Sequence, residues 1–363
     1  MSDVYAEPTT GAVPTDPATL ARYTTLRLGG PAGRLETATS AEEIVQKVRD
    51  AEMREDPVLV LAGGSNVVIG DRGFPGTVVL VRSRGFRVIA EDADTVTVRV
   101  EAGEPWDDLV AATLKRGWSG LECLSGVPGS AGATPIQNVG AYGQEVAETI
   151  TGVQAYDRTH REVVHIPAAD CGFAYRGSIF KYSDRWVVLS VDFRLARSPL
   201  SGPVRYAELA RALGVEVGDR VPLADARATV LRLRAGKGMV LDADDPDTWS
   251  VGSFFTNPVL ERAAYELLRE RAADLGEPPS WPGAGDVVKV SAAWLIDRAG
   301  YGKGHPGLEG VAISSKHTLA LTNRSGTAST AALVALAREI RDGVHDRFGV
   351  TLHPEPVLIN CTI

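Results

Sequence analysis

Residues 129–143 read GSAGATPIQNVGAYG, and no other stretch limits the possible folds so sharply. Four of its fifteen positions are Gly, three are Ala, one is aromatic (Tyr142) and none is charged. Glycine lets a backbone come within hydrogen-bonding distance of another group and permits positive φ. Such a run, without helical or strand period, is too apolar for a solvated loop and too irregular for a helix. Something must therefore lie against this backbone. A second Gly-rich turn, AGGSN at 62–66, interrupts an apolar run. Taken alone, GGSN reads as an ordinary turn. N–H groups in successive tight turns also make a concavity suited to an anion. Neither segment is a GxGxxG turn opening a helix after a strand, and no GxxxxGK[ST] occurs, so the Rossmann fingerprint and the P-loop are both excluded. A large, flat, partly apolar ligand bearing a diphosphate accounts for both segments. Pro135, Gln137 and Asn138 would supply fixed φ and amide hydrogen bonds to it.

The chain has 363 residues, which suggests two or three domains at roughly 100–200 residues each. Its hydrophobic fraction, 44%, and charged fraction, 23%, suit a soluble globular protein with a real core. Lys plus Arg is 38 against 46 Asp plus Glu, a net charge of −8. That balance argues against nucleic acid or an anionic membrane as the main partner. The N-terminal twenty residues lack a basic region followed by an apolar one, so no secretory signal is expected. No apolar run reaches the length of a membrane span. Cys123, Cys171 and Cys361 are odd in number and widely spaced. They suggest neither a disulfide framework nor a metal site, and fit a reducing cytoplasm. The six His show no HExxH spacing, so no metal is expected.

Ser40 and Glu43 form a capping box ahead of Ile44, Val45 and Val48, and a helix is expected there. Strands are expected at 57–61, 67–69, 77–81 and 95–100; the last alternates Val96, Val98 and Val100. A helix should begin near Pro105, with Asp107 and Asp108 at its positive end. Strands near 151–156, 161–166 and 186–194 follow, then a helix near 223–235. DADDPD at 242–247 reads as a surface loop. Asn257 and Pro258 read as the N-cap and first residue of a helix carrying Leu260, Ala264, Leu267 and Leu268. A short helix near 291–299 is expected, then a long one carrying Leu333, Leu336, Ile340, Val344 and Phe348 and stopping at Gly349. The strand PVLIN closes the pattern.

PGSAGATPIQNVGAYG (128–143) resembles the FAD-binding signature of the UDP-N-acetylenolpyruvoylglucosamine reductases (MurB). GGSN, FAYRGSIFK (173–181), VRYAEL (204–209), GSFFTNP (252–258), AAWLID (292–297) and LHPEP (352–356) fall in the family's order, between about Thr25 and Val357. The YAEL block is similar to the tyrosine loop of the type I subtype. One block would be suggestive; the ordered set is highly specific. The resemblance implies an α+β chain with an FAD-binding vanillyl-alcohol-oxidase/PCMH-like fold in two strand-rich subdomains plus a C-terminal α+β substrate domain. On that basis 1–22 is a loose tail, and 23–85 is FAD-binding subdomain 1, joined by the strand at 354–363. Residues 86–237 are subdomain 2 and 238–353 the substrate-binding domain. The FAD contacts implied are Gly63, Gly64, Ser65, Asn66 and Val67, with Pro128, Gly129, Gly132, Ala133, Pro135, Gln137, Asn138, Gly140, Ala141, Tyr142 and Gly143.

The chemistry rests on single residues that the sequence alone reads plainly. Arg176, among Phe173, Tyr175 and Phe180, is a planar fork suited to a carboxylate, though a structural ion pair is the ordinary role of such a residue. Ser253 reads as a turn residue, Glu355 as a loop carboxylate, Tyr206 as a packed aromatic and Lys237 as a helix C-cap. The resemblance assigns other roles. Arg176 and Glu355 stabilise charge on the enolpyruvyl group, and Ser253 protonates C2. Tyr206, Lys237 and Asn257 contact the diphosphate and sugar. The implied reaction is NADPH-dependent reduction of UDP-N-acetylglucosamine enolpyruvate to UDP-N-acetylmuramate through FAD, ping-pong, in peptidoglycan precursor synthesis. A cytoplasmic monomer is implied, without nucleic-acid or membrane partners. The competing readings are an FAD-dependent oxidase of the same fold acting on an alcohol or lactone, and a non-catalytic flavin or sugar-nucleotide binder.

Overall fold

The computed structural model describes residues 18–283 and 285–363. Of the tail expected over 1–22, residues 1–17 lie outside that range, and Leu20–Tyr23 form a 3-10 turn with Leu20 fully buried. The described chain falls into two compact units. One is inserted into the other: it comprises Ala32–Gly64 and Pro75–Val240, while 65–74 and 241–363 join residues 18–31.

The inserted unit begins with the strand Ala32–Ala38 and the helix Ala41–Met53. Ser40 Oγ accepts from Glu43 N at 3.2 Å, and the Glu43 carboxylate accepts from Thr39 N at 2.7 Å, so the reciprocal cap forms one residue early. Val58–Leu61 pairs in parallel with Phe74–Val81, which also borders Ala32–Ala38. Ile44 and Val48 bury their side chains against Val79 and Val81. A larger antiparallel sheet follows, in the spatial order Glu162–Pro167, Ile150–Asp157, Trp186–Arg197, Thr95–Glu101, Phe86–Glu91. The alternation of Val96, Val98 and Val100 puts all three in the core, with Trp106 and Leu109 of the helix Trp106–Lys115. Each such aliphatic side chain contributes about 1.5–3 kcal/mol when fully buried. The helices Ala207–Leu213 and Leu223–Gly236 complete this unit.

The discontinuous unit is built on the helix Thr330–Phe348. Ser329 Oγ caps it by accepting from Ala332 N at 3.1 Å, and Gly349 ends it in the left-handed region at φ 71°. Leu333, Leu336, Ile340, Val344 and Phe348 line its buried stripe. Two three-stranded sheets accompany it, Ser250–Ser253 with Ala320–Asn323 and Val311–Ile313, and Val259–Glu261 with Val287–Val290 and Ser280–Pro282. Val357–Ile359 pairs in parallel with Val67–Ile69.

Two expectations are corrected here. Asn257 and Pro258 do not start a helix, because Val259, Leu260 and Glu261 pair with Lys289, Val288 and Val287. The helix begins only at Arg262, with Leu267 on its exposed side. The acidic run at 242–247 is not wholly a surface loop: Asp247 is buried and accepts from Ser315 N at 2.9 Å. Among the described residues, no helix is long and apolar enough to cross a membrane, and no group of three His, Cys, Asp or Glu is arranged to hold a metal.

Candidate active site

The Gly-rich stretch is packed against its own unit at three of its glycines. Gly132 N donates to Ala102 O at 2.9 Å, and a Cβ at Gly132 would lie 2.5 Å from Ala102 Cβ. A Cβ at Gly143, where φ is 80°, would lie 2.9 Å from Arg205 Cβ. At Gly140 the nearest atoms are Glu145 Cγ and Arg176 Nη1, at 3.0 and 3.1 Å. Asn138 is buried with both ends of its amide engaged. Its Oδ1 accepts from Ala147 N at 3.1 Å, and its Nδ2 donates to Glu145 at 2.8 Å and to Ala174 O at 3.1 Å. Ala141 pairs with Gln144 across a two-residue hairpin. Much of what keeps side chains out of this stretch is therefore protein.

The remainder fits a cofactor. Gly129 has φ 116° and Gly64 has φ 58°, conformations that side chains disfavour. Ser130 is 5% exposed, and its Oγ has no hydrogen-bond partner in the protein. An unsatisfied buried hydroxyl costs about 1–3 kcal/mol, which a ligand hydrogen bond would remove. Sequence reasoning passed over Ser130, since one hydroxyl among glycines carries no periodic signal. Pro135 is buried, while Pro128, Ala133 and Gln137 are half-buried. Of the GGSN turn, Gly63 and Gly64 belong to the inserted unit, and Ser65, Asn66 and Val67 to the other, where Asn66 O accepts from Val357 N at 3.0 Å.

Arg176 is bonded to this stretch. Residues 174–177 make a tight turn in which Ala174 N donates to Gly177 O and Gly177 N to Ala174 O. Arg176 has φ 53°, an uncommon conformation for a side chain of its size. Its Nη2 donates to Gly140 O at 2.9 Å and its Nη1 to Asn138 O at 3.4 Å. Ser178 Oγ adds a bond to Ile136 O at 2.7 Å. A strained turn held at several points keeps the guanidinium in one place.

Tyr142, Tyr206 and Lys237 form a second group in the same unit. The two rings meet edge to face, centroids 5.6 Å apart, and Lys237 Nζ lies 5.7 Å from the Tyr142 ring centre. Burial pushes the Tyr142 phenol up to about 12, against the opposing influence of Arg234. Tyr206 precedes the helix Ala207–Leu213 and is 42% exposed. Lys237 does cap the helix Leu223–Gly236, as its flanking glycines suggested, while its amine reaches Glu208.

Ser253 and Glu355 come together in the discontinuous unit. The register between Ser250–Ser253 and Ala320–Asn323 shifts between Ser250 and Ser253, and Gly252 sits there at φ 74° with open space at its Cβ position. The irregularity falls one residue before Ser253. The segment 353–355 then pairs with 254–256: Glu355 N donates to Phe254 O at 2.8 Å, and Thr256 N to His353 O at 3.1 Å. The buried pair Phe254 and Phe255 anchors this ladder in the core. Asn257 Oδ1 accepts from Ala292 N at 3.0 Å and so braces the helix Ala292–Arg298.

The α+β fold and the comparisons that follow define a flavin-dependent oxidoreductase with an FAD-binding domain. Residues 34–165 match the family described as FAD binding domain, and residues 244–359 match the UDP-N-acetylenolpyruvoylglucosamine reductase C-terminal domain. The chain is 78% identical over 345 residues to the UDP-N-acetylenolpyruvoylglucosamine reductase of Salinispora arenicola, covering 95% of each. It is 57% identical over 352 residues to that of Streptomyces coelicolor, covering 95% of this chain and 90% of the relative. The crystal structure of the Thermus caldophilus enzyme (MurB) superposes with a TM-score of 0.65 at 24% identity, over 94% of this chain and 97% of that one. The chain belongs to the UDP-N-acetylenolpyruvoylglucosamine reductase family.

Proposed function

We propose that this chain reduces the enolpyruvyl double bond of UDP-N-acetylglucosamine enolpyruvate, with NADPH as reductant, to give UDP-N-acetylmuramate for peptidoglycan. The observation that carries the reading furthest is that Glu355 N bonds to Phe254 O, the residue next to Ser253, just after the register shift at Gly252. The glycine turns at 63–64 and 129–132 and the Ser130 hydroxyl would hold FAD, which would supply hydride exchange between nicotinamide and enolpyruvyl carbon. The other contributions are the chain's own. Arg176, fixed by Asn138 and Gly140, binds the enolpyruvyl carboxylate as a fork. Negative charge at C2 spreads into that carboxylate, where Arg176 and Glu355 stabilise it. Ser253 Oγ delivers the proton to C2. Tyr206, Lys237 and Asn257 contact the diphosphate and sugar.

The division into 23–85 with 354–363, 86–237 and 238–353 assigns the first two segments to the cofactor and the third to the substrate. NADPH and substrate take turns at one site, so initial-rate plots should be parallel. The enzyme acts as a cytoplasmic monomer, in keeping with three unpaired cysteines. The test is anaerobic stopped-flow absorbance at about 450 nm, the visible band of the flavin class. NADPH should bleach the band, and UDP-N-acetylglucosamine enolpyruvate should restore it rapidly. Recovery with oxygen alone would move the activity to an oxidase.

A further inference from the structure

The amine proposed to meet the diphosphate already holds an anion. Lys237 Nζ lies 2.6 Å from Glu208 Oε2, and both side chains are about one-third exposed, at 33% and 38%. Glu208 lies two residues after Tyr206, in the first turn of Ala207–Leu213, and Lys237 directly follows Leu223–Gly236. The ion pair thus ties the segment carrying Tyr206 to the end of the neighbouring helix. The Tyr142 ring, touching Tyr206 at 5.6 Å and lying 5.7 Å from Lys237 Nζ, completes the group.

None of the proposed catalytic steps requires Glu208. A carboxylate beside the intended seat of a diphosphate is electrostatically unfavourable to binding unless it gives way. We propose that Glu208 is a resident competitor and latch: it occupies Lys237, and with it ties the Tyr206 segment to the neighbouring helix, until a diphosphate displaces it. This rests on reading Lys237 and Tyr206 as diphosphate contacts. The consequence is selection by charge. A nucleoside diphosphate, carrying more charge than one carboxylate, takes the ammonium from Glu208, whereas an uncharged nucleoside or sugar leaves the latch shut. Because the pair is partly exposed, its opposition is modest, and its removal should tighten diphosphate binding about two- to five-fold.

The experiment is calorimetric titration of the flavin-loaded enzyme with UDP at low ionic strength, in wild type, Glu208→Gln, Lys237→Gln and the double variant. Flavin absorbance and melting temperature confirm that each is folded, and Glu208→Ala repeats the reading should the amide perturb the helix. Glu208→Gln should bind UDP about two- to five-fold tighter and lower KM with little change in kcat. Lys237→Gln should bind more weakly, and the double variant should lose the gain, since the gain requires the freed ammonium. Uridine affinity should not move. Weaker or unchanged UDP binding by Glu208→Gln, with Lys237→Gln still impaired, overturns the latch and leaves the diphosphate reading standing. Unchanged binding by Lys237→Gln overturns both.

Discussion

At the scale of single residues, the proposed site rests on a few side chains whose settings differ in kind. Ser253 directly follows the left-handed Gly252. Ser253→Ala should lower kcat by about 10²–10⁴-fold, the usual contribution of a positioned proton donor, while NADPH still bleaches the flavin. Retention of full turnover in steady-state assays would remove Ser253 from the reaction. Cysteine reactivity is a second residue-scale expectation. Burial, with Glu122 and Glu148 adding, pushes the Cys123 thiol up to about 12, and burial with Asp170 nearby pushes Cys171 up to about 11. Thiolate is the reactive form, so iodoacetamide at pH 8 should leave both unmodified in the folded protein by mass spectrometry. Rapid labelling of Cys123 would show that its surroundings open. These roles were only partly legible in the sequence. Arg176, Ser253 and Glu355 drew their functional meaning from ordered resemblance, because an isolated Arg, Ser or Glu has a commoner structural use. Asn138, expected at a ligand, has its side-chain amide engaged by Glu145, Ala147 and Ala174.

Elements were legible where period and caps agreed. The helix Thr330–Phe348 has both, a stripe at intervals of three and four and Ser and Gly at its ends. Ser329→Ala should cost about 1 kcal/mol, read as a lower urea midpoint for the discontinuous unit. No change would mean that Asp71, which accepts from Thr330 N at 2.6 Å and Ala331 N at 2.9 Å, suffices as the cap. Asn257 and Pro258 carried an equally good start signal, yet ladder pairing with Val287–Val290 overrode it. Tertiary pairing is invisible to a local cap rule. The strands Ala32–Ala38 and Phe86–Glu91 escaped notice for a related reason. Phe86–Glu91 is an edge strand with both faces largely exposed, so it has no apolar alternation to read. At Gly132 element packing alone already demands a glycine. Gly132→Ala should force the stretch away from Ala102 and weaken flavin retention, measured by gel filtration and absorbance. Undiminished retention would mean that the contact relaxes easily.

At the scale of the whole molecule, acid sensitivity should trace in part to Asp157. The Arg185 guanidinium, then the His160 ring and the N–H groups of His160 and Thr159, hold its carboxyl well below the usual aspartate range. A folded-state value depressed below the unfolded one, about 3.9, contributes stability above that pH. The contribution disappears as pH falls below it. Wild type should therefore lose more stability than Asp157→Asn between pH 6 and pH 3, by urea midpoints at each pH. Equal losses would place the acid-sensitive group elsewhere.

The parallel pairing of Val67–Ile69 with Val357–Ile359 sets an order of assembly. On a ribosome, Val67 emerges 290 residues before its partner Val357. The inserted unit, complete at Val240, can fold while the chain is still growing. The segment 65–74 must wait, with strand edges unmet, until the rest of its unit has been made. Nascent chains stalled short of residue 357 should therefore carry a folded inserted unit and an exposed Val67–Ile69 strand, a natural handle for chaperones.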